Sequence, residues 1–212
     1  MSAQLYISFV VTSLIFGLIP GPSVCFTIAY ALRHGGRRTV PTILGQAAAN
    51  ALQLLIIVCG LSGILAQSAA VMSTLRIGGA CYLVYLGART FFASDPQLER
   101  TGERTARGLY RSALDGFIVC GTNPKALLYY AALLPQFIAP RGDRGSQLVL
   151  LGISSVIIGT VILSFYTLLA GHARYWLLER GLWRVQKRAS GVLIVTAGAA
   201  LGLSGSGAEA QP

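Results

Sequence analysis

Charge is what this sequence has least of. Only 11% of its 212 residues are Asp, Glu, Lys or Arg, and only 7 are acidic, while 54% are hydrophobic. A soluble domain of this size could not cover its surface with so few charges, so composition alone assigns the chain to the membrane class. Long polar stretches are scarce too, which excludes an attached soluble domain or extramembrane enzyme, and no cofactor is called for. Cys25, Cys59, Cys81 and Cys120 each lie alone inside an apolar run with no companion His cluster, so neither a Cys-x-x-Cys redox centre nor a zinc site is encoded. They read as small packing residues. A basic leader is also missing, and the first apolar run is too long for a signal-peptide core, so it reads as the first span. No carboxylate lies in the interior of an apolar run, whereas a divalent-cation carrier would want several.

The charge that is present is lopsided, with a net value of +10. The basic residues sit in short clusters between apolar runs, which is the appearance of cytoplasmic loops and not of a nucleic-acid surface. A transmembrane helix needs about 20 mainly apolar residues. Six segments qualify: Leu5 to Leu32, Thr42 to Ala66, Ser73 to Phe92, Ser112 to Ala139, Gln147 to Gly171 and Ala189 to Ser204. Six spans put both termini on one face of the membrane. The opposite face then carries Arg33, Arg37 and Arg38, next Arg100, Arg104, Arg107 and Arg111, and finally Arg174, Arg180, Arg184, Lys187 and Arg188, against chiefly Arg141 and Arg144 on the side of the termini. Because positive residues accumulate in the cytoplasm, both termini are expected to be external.

The polar segment 93–111 reads as a cytoplasmic linker between a first three-helix half, 1–92, and a second, 112–212. An odd number of spans in each half makes the second enter the membrane in the opposite sense, the arrangement of inverted repeats in secondary transporters. The expected fold is therefore all-α, with six transmembrane helices in two inverted repeats. Spans one and four are interrupted at corresponding places, by Pro20-Gly21-Pro22 and by Asn123-Pro124-Lys125. Proline has no N–H, so Pro20 and Pro22 free the carbonyls of Phe16 and Leu18, and Pro124 frees that of Cys120. Each motif also reads as a helix restart, with Gly21 or Asn123 as N-cap and Pro22 or Pro124 at the first helical position. Paired broken helices point to a binding site near the midplane. Helix N-termini suit a carboxylate and freed carbonyls suit an ammonium group, so the expected ligand is a small zwitterion.

Lys125 strengthens this expectation. It lies thirteen residues beyond Ser112, about 20 Å along a helix. An intramembrane lysine costs about 2.5 to 3.5 kcal/mol on insertion scales. The nearest carboxylate in sequence, Asp115, is about 15 Å away along the same helix, so the sequence offers no partner. Either the amine is neutral or a bound anion completes it, the alternative being a side chain that snorkels to the interface. In span two Gln46, Asn50 and Gln53 fall at i, i+4 and i+7 and share one helix face; Gln46 and Asn50 are candidates for substrate contact. Thr160 and Ser164 form a weaker echo in span five, and His172 falls at a span end. The tyrosines read as packing or interface anchors.

These motifs resemble a known family. Pro20-Gly21-Pro22, the basic Gly35-Gly36-Arg37-Arg38 turn, Gly45, the run from Gly79 to Gly87, Asn123-Pro124-Lys125 and Pro135-Gln136-Phe137 are similar in order and spacing to the LysE/RhtB amino-acid exporters, whose efflux is of the homoserine, threonine and lysine type. The resemblance covers nearly the whole chain. It implies a multi-pass bacterial inner-membrane protein that exports amino acids or relatives, driven by proton exchange, and it leaves self-association open. Two departures stand out. Asn50 occupies a position that is often acidic in the family, and Ala49 stands where glycine is usual, so Asn50 cannot carry a proton. A divalent-cation exporter of a related branch and a membrane thiol oxidoreductase are the alternatives, weakened by the missing carboxylates and the unpaired cysteines.

The arginine bias yields the first prediction. A phosphatase fused at the C-terminus is expected to be active, and one inserted within 93–111 inactive; the reverse pattern would overturn the orientation.

Overall fold

The computed structural model describes residues 1–56, 69–92, 106–130, 134–139, 143–180 and 183–203, and among these every regular element is helical. The helices are α1 (Ala3–Leu18), α2 (Pro22–His34), α3 (Gly36–Ile56), α4 (Ala69–Phe92), α5 (Ala106–Gly121), α6 (Pro124–Leu128), α7 (Arg144–Glu179) and α8 (Trp183–Leu203), with a 3-10 turn at Leu134–Phe137 between α6 and α7. The end of the expected second span with Cys59, most of the 93–111 linker and the Pro140 turn lie outside the described residues.

The expected first span is a bent pair. Between α1 and α2 the axis turns by 59°. Gly21 is the extended N-cap of α2, and Pro22 stands at its first helical position, where the missing N–H costs nothing. At the other end Gly35 adopts φ 85°, a left-handed conformation that glycine takes without strain, and returns its N–H to Ala31 O at 2.8 Å. The expected fourth span is likewise broken: α5 stops at Gly121, and α6 restarts at Pro124 with Asn123 as cap. By length and composition α3 and α7 can each cross a membrane, and the bent α1–α2 pair makes a third such element.

Two boundaries differ from expectation. The fifth span was to end at Gly171, yet α7 continues to Glu179. Hydropathy marks where a helix leaves the apolar phase, not where it stops, and His172 to Glu179 contain neither proline nor glycine to end it. For the same reason α8 begins at Trp183, ahead of the expected Ala189. At its start α7 is capped by Asp143, which accepts from Gly145 N and Ser146 N and from the Ser146 hydroxyl. These bonds hold its carboxyl below the usual range.

The helices pack by close backbone approach. α3 lies along α5, α4 along α8, and α7 against both α1 and α2. At the α3–α5 crossing a Cβ on Gly45 would strike the Ala113 carbonyl, and one on Gly116 would strike that of Thr42. Small residues that let backbones approach in this way are how membrane helices associate, since lipid supplies no hydrophobic drive between them. Phe26, Leu83, Val119 and Ile194 form one buried cluster, and Phe9, Tyr130, Leu134 and Leu151 another. The outward faces are apolar as well: Ile7, Val11 and Ile15 on α1, and Ile153, Ile157 and Val161 on α7, recur every fourth residue and are exposed. That surface suits lipid.

Gly116→Ala is expected to destabilise the protein by about 1–3 kcal/mol through forced separation of α3 and α5. In Gly78→Ala the added methyl meets nothing within 4 Å, so this variant should keep the wild-type thermal midpoint in detergent. Equal midpoints for the two variants would mean that the crossing has room to spare.

Candidate functional site

The three carbonyls that the prolines free have each found a side-chain donor. Phe16 O accepts from Lys125 Nζ at 2.8 Å, Leu18 O from the Tyr166 hydroxyl at 2.8 Å, and Cys120 O from Gln53 Nε2 at 3.1 Å. Lys125 Nζ also donates to Ile19 O and stands 4.6 Å from the centroid of the Phe16 ring. The expectation that this lysine has no protein partner is thereby corrected. Its partner is the carboxyl-terminal end of α1, whose unpaired carbonyls carry partial negative charge. Gly21 leaves the passage for the lysine stem, since a Cβ there would lie 3.1 Å from Lys125 Cδ. All three freed carbonyls thus already accept a side-chain hydrogen bond in this structure.

Beside these breaks lies a cavity of about 120 Å³. That is roughly ten times the space one water needs, and below the range typical of drug-sized ligands. It is bordered by Gln46 and Asn50 of α3, Asn123 and Lys125 at the start of α6, Phe16 of α1 and Ser155 of α7, so elements of both halves of the sequence meet there. Ser13 and Tyr129, also at its edge, share a hydrogen bond of 2.6 Å between α1 and the segment after α6. Asn50 Oδ1 accepts from the Cys120 thiol at 3.1 Å.

A chain of bonds links the halves. Asn123 Oδ1 accepts from Lys125 N at 3.1 Å, and Asn123 Nδ2 donates to Ser23 Oγ at 2.9 Å. Thr27 Oγ1 donates to Ser23 O at 2.8 Å and accepts from Gln46 Nε2 at 2.7 Å. Gln46 is fully buried, and its Oε1 has no partner among the described residues. A buried acceptor left so costs about 1–3 kcal/mol.

Of the residues singled out from sequence, Gln46, Asn50, Asn123 and Lys125 border the cavity. Pro20, Gly21, Pro22 and Pro124 stand at the breaks that shape it. Gln53, on the same face of α3, bonds the carbonyls at the end of α5 and does not reach the cavity. Thr160 and Ser164 bond back to their own helix, and His172 is exposed. Sequence reasoning missed Ser13, Ser23, Tyr129, Tyr130 and Ser155. The position of Ser23, directly after the Pro-Gly-Pro break, was the available signal. Among the described residues no group of three or more His, Cys, Asp or Glu could hold a metal ion.

The sequence profile of the family described as LysE type translocator matches residues 14–205. The chain is 28% identical to a homoserine/homoserine lactone efflux protein of Salmonella typhimurium, over 95% of its own length and 97% of the relative's. An uncharacterized membrane protein of Vibrio cholerae is 31% identical over 80% of this chain and 82% of its own. A leucine efflux protein of Klebsiella pneumoniae is 25% identical over 77% of each. No solved structure matches.

The division of labour on α3 can be tested. Gln53→Leu leaves the Cys120 and Gly121 carbonyls without their side-chain donor and is expected to lower stability by about 1–3 kcal/mol, with ligand affinity unchanged. A loss of affinity at an unchanged thermal midpoint would instead place Gln53 in the site.

Proposed function

The chain belongs to the LysE type translocator family, and on that premise we propose that it exports a small amino acid or close relative across a bacterial inner membrane. A protein of this family is a membrane transporter and not an enzyme. The observation that carries the proposal is the cavity at the meeting point of two broken helices, bordered by Gln46, Asn50, Asn123 and Lys125 inside an otherwise apolar bundle. The compounds in the relatives' names, homoserine, its lactone and leucine, share a primary amine on a short carbon skeleton. A cavity of about 120 Å³ is in keeping with such a ligand.

The transport mechanism is alternating access by two inverted three-helix halves, 1–92 and 112–212, joined by the 93–111 linker, with both termini external. Two features support this reading. The breaks at Pro20-Gly21-Pro22 and Asn123-Pro124-Lys125 stand at like positions in the two halves. The pairings of α3 with α5, of α7 with α1 and α2, and of α4 with α8 are those that a two-fold exchange of the halves would produce. In this scheme the substrate carboxylate competes with the Phe16 and Ile19 carbonyls for the Lys125 ammonium, while Asn50 and Asn123 line its surroundings. A full negative charge outbids neutral carbonyl dipoles for an ammonium group. Exchange for protons belongs to the same proposal, with Lys125 the titrating group, because Asn50 has no proton to give.

Cells loaded with single amino acids through dipeptides, with and without the protein, will identify what is exported. Lys125→Ala and Lys125→Gln are expected to abolish efflux while the protein still inserts, as judged by membrane levels. Lys125→Arg, permanently charged and with a larger planar head, should bind substrate better than it transports it. Near-normal efflux by Lys125→Ala would leave the lysine as a strap on α1 and nothing more.

A further inference from the structure

If the cavity holds an amino acid, one end of the zwitterion still lacks a partner. The backbone carbonyls that would suit an ammonium group are already bonded to Lys125, Tyr166 and Gln53. Among the described residues no carboxylate borders the cavity. The acceptor sought is a neutral side-chain oxygen of a residue at the cavity that has no donor of its own.

Gln46 has such an oxygen, and its orientation follows from groups whose roles are not in question. A backbone N–H only donates, so the Asn123 atom that faces Lys125 N at 3.1 Å is Oδ1, and the amide nitrogen turns to Ser23 Oγ at 2.9 Å. A backbone carbonyl only accepts, so the single hydroxyl hydrogen of Thr27 goes to Ser23 O at 2.8 Å. Thr27 Oγ1 then has nothing but lone pairs to offer, and the Gln46 atom 2.7 Å from it has to be the amide nitrogen. That leaves Oε1 on the other side, buried and without a partner. Side-chain oxygens of Thr42, Gln53, Thr167 and Ser190 are also unpartnered among the described residues, but Gln46 is the one of the five that borders the cavity. A buried acceptor without a donor is costly to keep. Here a ligand supplies the donor.

We infer that Gln46 Oε1 accepts the substrate's ammonium group, with Thr27 as the positioning residue that fixes the amide. The amine of the bound ligand lies against α3 and its carboxylate against Lys125. The inference rests on the reading of the cavity as an amino-acid site, and it assigns the choice of substrate class to Gln46. A pocket built to bond an N–H discriminates against the analogue that lacks it, because its own polar group is then left unpaired.

The test uses the purified full-length protein in lipid nanodiscs, with equilibrium binding of L-leucine and of L-homoserine. Each is compared with its desamino analogue, the same skeleton carrying hydrogen in place of the amine. The wild type is expected to prefer the amine by about tenfold or more, as one charge-assisted bond implies. Gln46→Leu should bring that ratio close to one by weakening the amino acid alone. Thr27→Val keeps the shape of a residue that does not border the cavity and lets the amide turn, so it should lower the ratio part of the way while the folded protein is still recovered in nanodiscs. A preference that survives in both variants, or an equal loss for both members of each pair, overturns the inference and leaves the amino-acid site standing. A wild type that binds neither amino acid, and exports none of those loaded into cells, removes the exporter reading itself.

Discussion

A proline in the middle of a membrane helix leaves a carbonyl with no partner, and in hydrocarbon there is no water to supply one. Phe16 and Leu18 are in that position, Cys120 O keeps a single backbone donor, Asn123 N, and much of the bundle is arranged around the three. Their donors come from elements far away in sequence: Lys125 from the start of α6, Tyr166 from α7 and Gln53 from α3. Each bond fixes the place of one helix relative to another. The constraint that breaks the helices is thus the same one that ties the halves together.

Close packing completes the constraint. Gly45 and Gly116 allow α3 and α5 to approach until backbone meets backbone, which brings Gln53 within reach of the end of α5 and leaves Gln46 beside Thr27. Polar residues one or two turns apart on a single face thus acquire different duties. Gln53 satisfies backbone, whereas Gln46 satisfies one hydroxyl and keeps an oxygen in reserve. The cavity exists where the two broken helices cannot fill the space between α3 and α7.

The two breaks were legible in the sequence because proline chemistry is local: Pro22 and Pro124 had to open helices, and Gly21 and Asn123 were suited to cap them. The polar face of α3 was legible from spacing. Its division of labour was not, since that depends on which neighbour each residue meets. The pairing of Lys125 with Phe16 O could not be read, although Pro20 marks that carbonyl as freed, because the two residues are distant in sequence and meet only in the fold. Thr27 was overlooked for a related reason. A threonine that bonds back to the carbonyl four residues earlier looks like any other membrane-helix threonine, and only its second contact, from Gln46, distinguishes it. The helices α7 and α8 run beyond the expected spans because hydropathy reports the environment of a helix and not its length.

The bonds that cross between the halves also bear on how a carrier of this build would move. Tyr129 to Ser13, Asn123 to Ser23, Lys125 to Phe16 and Tyr166 to Leu18 all join residues of the first half to residues of the second. Rocking one half against the other would strain or break several of them together. In a dry interior each separated group would carry its full desolvation cost. An empty carrier should therefore resist the change, because nothing replaces what is lost. A zwitterion in the cavity alters the balance at the two ends where it can form bonds. In the proposed binding mode its carboxylate would give Lys125 a partner other than α1, and its amine would supply the donor that Gln46 Oε1 lacks. A ligand shifts a conformational equilibrium only by its difference in affinity for the two states. A ligand that replaces bonds broken in the passage has such a difference built in, so the interactions that hold the resting structure would also make movement depend on cargo.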